Sequence, residues 1–188
     1  MPSSPSPTET PPVILGEESQ VVSQSVPQSK QIRFSPTKKH SQLQVSGDRK
    51  KVAVVDRDDY RRNILGEDPL LPGNLYTWKL RYAEGPNSLF VGVIAESNFS
   101  ADDWCCDIAH CFHNYGDQVH GCLSGTQTKW NPGELLEISV NLIYNTLTIK
   151  SFGKSSINLS GTLPRLRSGN YYPFASLFWA CHVLEIVE

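Results

Sequence analysis

A chain of 188 residues has room for one domain of ordinary size plus a tail, and a core of that size stands without covalent staples. With 39% hydrophobic and 19% charged residues and a formal net charge of -2, it reads as globular and lacks the basic excess that binding a phosphate backbone demands. Nucleic acid is therefore not the expected partner. No run approaches the roughly 18 apolar residues of a membrane span, and Val13-Ile14-Leu15 is too short for the apolar region of a signal peptide. The expected location is the cytosol, with the nucleus as a second compartment. A membrane partner is not expected.

Residues 1–30 are dominated by Ser, Pro, Thr and Gln, a composition that buries too little apolar surface to offset chain entropy, so a disordered tail is predicted there. It carries Ser4-Pro5, Ser6-Pro7 and Thr10-Pro11, which suit proline-directed kinases, and a minimal P-x-x-P from Pro2 to Pro5. From about Ile32 onward the apolar period is two, the signature of short strands. Tyr76, Trp78, Leu80 and Tyr82 point one way while Thr77, Lys79 and Arg81 point the other, as in a strand with one face on a core. Leu89 to Ala95 is almost wholly apolar and suits a strand covered on both faces. Leu136, Ile138, Val140 and Leu142 alternate with Glu137, Ser139 and Asn141, and Leu147 and Ile149 repeat the pattern after a turn at Asn145-Thr146. Pro72-Gly73, Gly85-Pro86, Pro132-Gly133, Gly153, Gly161 and Gly169 punctuate these runs as in an all-β sandwich. One segment disagrees: Ser100 to Asp103 resembles a capping box, and Trp104, Ile108 and Phe112 follow at helical spacing, which predicts a short helix over 101–109.

Five cysteines, three of them crowded into Cys105, Cys106 and Cys111, do not read as a disulfide framework, and reduced thiols are expected. Without an export signal, the sequons Asn98-Phe99-Ser100 and Asn158-Leu159-Ser160 have no chemical opportunity for glycosylation.

In order along the chain, several blocks resemble the B30.2 (PRY-SPRY) domain of tripartite-motif and butyrophilin proteins. Phe34-Ser35-Pro36-Thr37 followed by Leu43 to Lys50 is similar to the PRY opening, and Arg62 to Gly66 with Trp78-Lys79-Leu80 to the Leu-Gly and Trp-Glu-Val blocks. Gly92-Val93 through Glu96-Ser97 is similar to Gly-Val-x-x-Glu-Ser. Phe112-His113-Asn114 with Gly116-Asp117, the turn Pro132-Gly133-Glu134 and the closing Tyr171 to Leu177 complete the likeness. The resemblance implies a PRY-like part over about 31–58 and a SPRY part over about 59–188, folded as two curved antiparallel sheets in a jelly-roll-like, concanavalin-like β-sandwich. It also implies partners bound by loops at one end, with neither catalysis nor a cofactor.

Large amphipathic loop residues are then the candidates for partner contact. Asp58-Asp59-Tyr60-Arg61-Arg62 joins the two parts and combines Tyr with Arg, the composition of an interface hot spot. Asn98 and Phe99, with Asp102, Asp103 and Trp104, follow a buried strand, and Trp104 is placed either against a partner or folded back over the sandwich. Phe178-Trp179 follows the closing block, with one of the two expected in the core. The likeness to the family adds Asn114 and Tyr115. Trp78, Tyr172 and Phe174 sit in strands and are assigned to packing, while Trp130 is left open between packing and contact.

The rival chemistry is the run Cys105, Cys106, His110, Cys111, His113, His120 and Cys122. Zinc needs about four converging ligands, and this run has neither a C-x-x-C nor an H-x-x-x-H pair. If 109–113 is a strand, His110 faces away from Cys111 and His113. Neither a metal site nor a Cys-His nucleophile is favoured. The expected function is a non-enzymatic module that binds a protein or peptide, in ubiquitin or signalling pathways as an adaptor or recruiting element, since the chain has no RING-like spacing. A carbohydrate-binding sandwich is the runner-up, and a Cys/His-dependent hydrolase comes third.

Overall fold

A computed structural model describes residues 31–56, 60–85, 88–114 and 119–187. The predicted tail over 1–30, with its Ser-Pro and Thr-Pro sites, lies outside these. Among the described residues the strands in chain order are β1 (Phe34–Lys39), β2 (Leu43–Val45), β3 (Lys51–Val54), β4 (Arg62–Gly66), β5 (Leu75–Glu84), β6 (Leu89–Ala95) and β7 (His110–His113). There follow β8 (Val119–His120), β9 (Ser124–Thr126), β10 (Leu135–Asn141), β11 (Thr146–Phe152), β12 (Asn158–Thr162), β13 (Tyr171–Leu177) and β14 (Val183–Val187). They form a six-stranded sheet in the order β1-β4-β13-β6-β7-β8 and an eight-stranded sheet in the order β2-β3-β14-β5-β10-β11-β12-β9, with antiparallel pairing. This is the two-sheet sandwich that the alternating patterns predict.

The register explains the alternation. Trp78 stands opposite Ile138, which stands opposite Ile149, and Leu80 stands opposite Leu136, so one face of the eight-stranded sheet presents a continuous apolar surface to the core. Its other face carries Thr77, Lys79, Ser139 and Thr148. Across the core, Ile64, Val91, Val93, Ala175 and Leu177 project from the six-stranded sheet. At the end of β10 the Asn141 side-chain oxygen accepts the amides of Ile143 and Tyr144, and Asn145 adopts φ 55°, which turns the chain into β11.

The six-stranded sheet is covered on its outer face as well. Leu65, Phe90, Ile94, Tyr172 and Phe174 form a second apolar layer there with Cys111 of β7 and with Cys105, Cys106 and Ala109 from the connection between β6 and β7. Every residue of β6 and of β13 is buried for this reason. Full burial of a side chain of this size contributes about 1.5–3 kcal/mol, which favours laying the connection flat on the sheet.

That layer overturns the predicted helix over 101–109. The capping contact does form, since the Ser100 hydroxyl accepts the Asp103 amide at 3.1 Å, but only a 3-10 turn over Cys106–Ile108 follows. A helix would turn one of the consecutive Cys105 and Cys106 off the sheet, whereas both are buried and Ile108 is exposed. Gly161 also departs from its predicted role as a turn residue: it lies inside β12, where an added Cβ would fall 2.1 Å from the Cys122 carbonyl oxygen.

Trp130, left open by the sequence, is a core residue. It is fully buried, its ring centroid lies 5.8 Å from that of Tyr82, and its indole N–H donates to the Glu134 carbonyl at 3.0 Å. The Glu134 carboxylate accepts the amides of Asn131, Lys154 and Ser155, the Asn131 side-chain amide and the Ser155 hydroxyl. Partial burial works against its charge, but these donors outweigh it and hold the carboxyl down at about 2.

Two outcomes follow for the fold. Glu134→Gln should cost about 1–2 kcal/mol at pH 7, because a charged acceptor is replaced by one that brings its own N–H groups. The folded carboxyl lies below the ordinary value of 4.5, so its contribution is complete above that pH and is lost as pH falls toward about 2. Urea midpoints at pH 7 and pH 3 should therefore show the gap between wild type and variant shrinking, and an unchanged gap would refute the ion-cage account. Gly161→Ala should lower stability by about 1–3 kcal/mol in thermal unfolding. Gly47→Ala, where an added Cβ meets nothing within 4 Å, should not.

Candidate partner-binding surface

The surface is organised by the first two residues of β4. Arg62 stands opposite Leu177, the last residue of β13, so the chain entering β4 and the chain leaving β13 meet at one end of the sandwich. The Arg62 side chain is fully buried. Its Nη1 donates to the carbonyls of Tyr60 and, at 3.0 Å, Phe178, while its Nε donates to the Gln42 side-chain oxygen at 2.9 Å. Gln42 in turn donates to the Asp56 carboxylate. Asn63, also buried, donates its side-chain amide to the carbonyls of Ser100 at 2.8 Å and Asp103 at 2.7 Å, and its backbone amide to that of Ala101.

The loops are also tied to one another. The Tyr60 hydroxyl donates to the Asp102 carbonyl at 2.8 Å. His40 packs its ring 5.9 Å from that of Tyr60 and sets Nε2 3.3 Å from the Asp102 carboxylate, while its Nδ1 accepts the Gln42 amide. Burial lowers the His40 pKa, against the pull of Asp102 and with the help of Arg62, so at neutral pH the ring is the neutral Nε2–H tautomer. The Arg61 guanidinium lies over the Trp104 ring, 2.9 Å from its centroid, and 5.8 Å from that of Phe178. Phe178 meets Trp179 edge to face at 4.8 Å, and Trp104 meets Phe90 likewise at 5.4 Å.

Three candidate loops remote in sequence thus form one patch. Tyr60 is 49% exposed and Trp104 37% exposed, so Trp104 both folds back on Phe90 and presents surface. Asn98 is exposed, Phe99 is half-buried against the outer layer, and Arg61, Phe178 and Trp179 are half-buried. Two candidates are corrected. Arg62 has no exposed surface to offer a partner, because its guanidinium is consumed by backbone carbonyls inside the fold. Asn114 is likewise fully buried: its amide donates to the Leu89 carbonyl and its side-chain oxygen accepts the Trp130 amide at 2.8 Å. Asp59 and Tyr115 lie outside the described residues. Sequence reading missed His40, Gln42 and Asn63. Of these only Asn63 carries a local signal, as an amide heading a strand whose neighbours are apolar.

Side chains of the Cys/His run take part in packing. On β7, His110 lies beside the Tyr171 ring at 5.8 Å, while Cys111 and His113 face the outer layer, where His113 stacks on Phe90 at 4.0 Å. Among the described residues no three His, Cys, Asp or Glu side chains converge on one point. Burial raises the Cys105 and Cys122 thiols, pushes Cys106 up to about 12 and lifts Cys111 well above the ordinary range. These thiols are protonated at neutral pH and are poor nucleophiles.

No protein-family model matches the sequence, and no curated protein matches it. Solved structures do. The SPRY domain of human HERC1 superposes with a TM-score of 0.64 at 14% identity, covering 82% of this chain and 97% of that one. The PSpry domain of TRIM65 gives 0.57 at 12% identity over 85% and 90%. Stonustoxin gives 0.59 at 13% identity over 85% of this chain and only 27% of its own. At these identities the likeness is one of architecture, and it agrees with the sheet orders and paired strands above: the chain has the SPRY/PRY-SPRY fold.

Proposed function

We propose that this chain is a non-enzymatic recognition module that binds a protein or peptide through the patch of Tyr60, Arg61, Trp104, Phe178 and Trp179, flanked by Asn98 and Phe99. The observation that carries this reading is the convergence of three separate loops on the buried Arg62-Asn63 pair, which holds Tyr, Trp and Arg side chains at one end of a rigid sandwich. Aromatic and arginine side chains fixed before encounter lose little freedom on binding, the condition for a few residues to supply most of the affinity. The wider role is that of an adaptor or recruiting element in ubiquitin or signalling pathways, acting in the cytosol and nucleus.

The other readings have less support. Sugars stack on open aromatic faces, and one face of Trp104 is taken by Arg61. A thiol hydrolase needs an accessible thiolate, and the clustered cysteines are buried and protonated.

Arg61→Ala and Trp104→Ala should each weaken binding to a captured partner by at least about 2 kcal/mol, roughly 30-fold. Proteins captured from lysate by the full chain and lost with a folded double variant would identify that partner, and calorimetry would give the affinities. Equal capture and unchanged affinity by a variant with a native thermal midpoint would put the surface elsewhere. A maleimide probe at pH 7 should label exposed Cys181 in the native protein and reach Cys105, Cys106 and Cys111 only on unfolding. Native labelling of Cys106 or Cys111 would restore the hydrolase reading.

A further inference from the structure

At the other end of β13, away from the three loops, lies a groove of about 310 Å³. Leu70, Leu142, Ile143, Pro164 and Tyr171 line it, with Arg165 at its side. Apolar surface gathers around it: Leu71, Leu75, Ile143 and Tyr144 are 45%, 41%, 52% and 73% exposed. The walls are braced, since the Tyr171 hydroxyl donates to the Pro164 carbonyl, the Leu163 amide to that of Asn145 and the Leu70 amide to that of Tyr171. Arg165 lines it and Arg167 follows Leu166, a lining residue, in the chain; both arginines are exposed, and among the described residues neither has an ion-pair partner within 4.0 Å. The combination calls for a short apolar segment followed by negative charge.

The chain itself supplies such a segment. The first described residue, Gln31, shares a crevice with Pro69 and Tyr76, and the Tyr76 hydroxyl accepts the Leu71 amide, so the chain enters the domain next to the groove wall at Leu70. Within residues 1–30, which lie outside the described residues, Val13-Ile14-Leu15 is the one run of three aliphatic residues, and Gly16-Glu17-Glu18 follows it directly. Fifteen residues separate Leu15 from Gln31, and a Gly/Ser-type linker of that length spans about 19–23 Å on average. We infer that Val13-Ile14-Leu15 seats in the groove beside Leu142, Ile143 and Tyr171, with Glu17 and Glu18 directed at Arg165 and Arg167. The ligand class is an extended aliphatic tripeptide with an acidic C-terminal flank, and its first occupant is this chain.

Tethering makes modest affinity sufficient. A short flexible tether gives an effective concentration on the order of 1 mM, so an intrinsic Kd of about 0.1–1 mM would protect the groove roughly two- to tenfold. The test is hydrogen exchange on the full chain at residues 142–145 and 166–171, comparing wild type with I14E/L15E. Faster exchange by two- to tenfold in the variant, independent of protein concentration from 1 to 100 µM, is the expected result. R165E/R167E should show the same loss, and combining it with E17K/E18K should restore protection. Equal exchange in wild type and I14E/L15E would overturn the inference. So would protection that grows with protein concentration, which would make a second copy the occupant, or failure of the charge swap to rescue.

Discussion

A guanidinium with no solvent exposure is the constraint on which one end of the sandwich depends. Taking a charge out of water costs several kcal/mol unless its donors are met, and Arg62 meets them with the carbonyls of Tyr60 and Phe178 and the side chain of Gln42. Two of these acceptors belong to backbone that would otherwise be free to move. The requirement to satisfy the charge therefore fixes where the chain enters β4 and where it leaves β13. Asn63, the next residue, extends the same logic to the 100–103 loop with two further carbonyls. Because neighbouring strand residues point to opposite faces, the pair reaches loops on both sides of β4. Rigidity at this end is thus anchored from inside the fold, and Tyr60 on the Asp102 carbonyl and Arg61 over Trp104 link the anchored loops above it.

The second dependence is the double coverage of the six-stranded sheet. Leu89 to Ala95 and Tyr171 to Leu177 need an apolar cover on each face, and the β6–β7 connection supplies the outer one with Cys105, Cys106 and Ala109. The same connection delivers Trp104 to Arg61. Packing and the exposed patch are therefore coupled: the cysteines that look like a metal or catalytic cluster are the underside of the loop whose upper side carries Trp104. Their raised pKa values follow from that burial and need no catalytic purpose.

Much of this was legible in the sequence because it is periodic or local. Alternation in Tyr76 to Tyr82 gave the half-buried β5, the unbroken run Leu89 to Ala95 gave a strand covered on both faces, and large residues between strands marked the three loops that converge. What escaped depends on contacts between distant segments. Nothing near Arg62 distinguishes it from Arg61, yet one is sealed in the fold and the other lies over Trp104, because strand register and not composition decides which side chain faces inward. Asn114 read as a surface amide and serves as a bracket for Trp130. The capping box at Ser100 formed its hydrogen bond without its helix, since burial of two adjacent cysteines against a sheet outweighed the local preference. Gly161 looked like punctuation and is a point of close approach to the Cys122 carbonyl.

The central claim is that three loops act as one unit through Arg62 and Asn63. It is tested most directly by hydrogen exchange in Arg62→Met and, separately, Asn63→Leu, read at residues 60–61, 101–104 and 178–179 with β10 and β11 as internal controls. The account predicts that either substitution speeds exchange in all three loops together while the control strands keep their protection, because the Tyr60 hydroxyl on the Asp102 carbonyl and Arg61 over Trp104 link what each side chain holds. If Asn63→Leu released only 101–104, and Arg62→Met only 60–61 and 178–179, the loops would be independent neighbours and the single-surface account would be wrong.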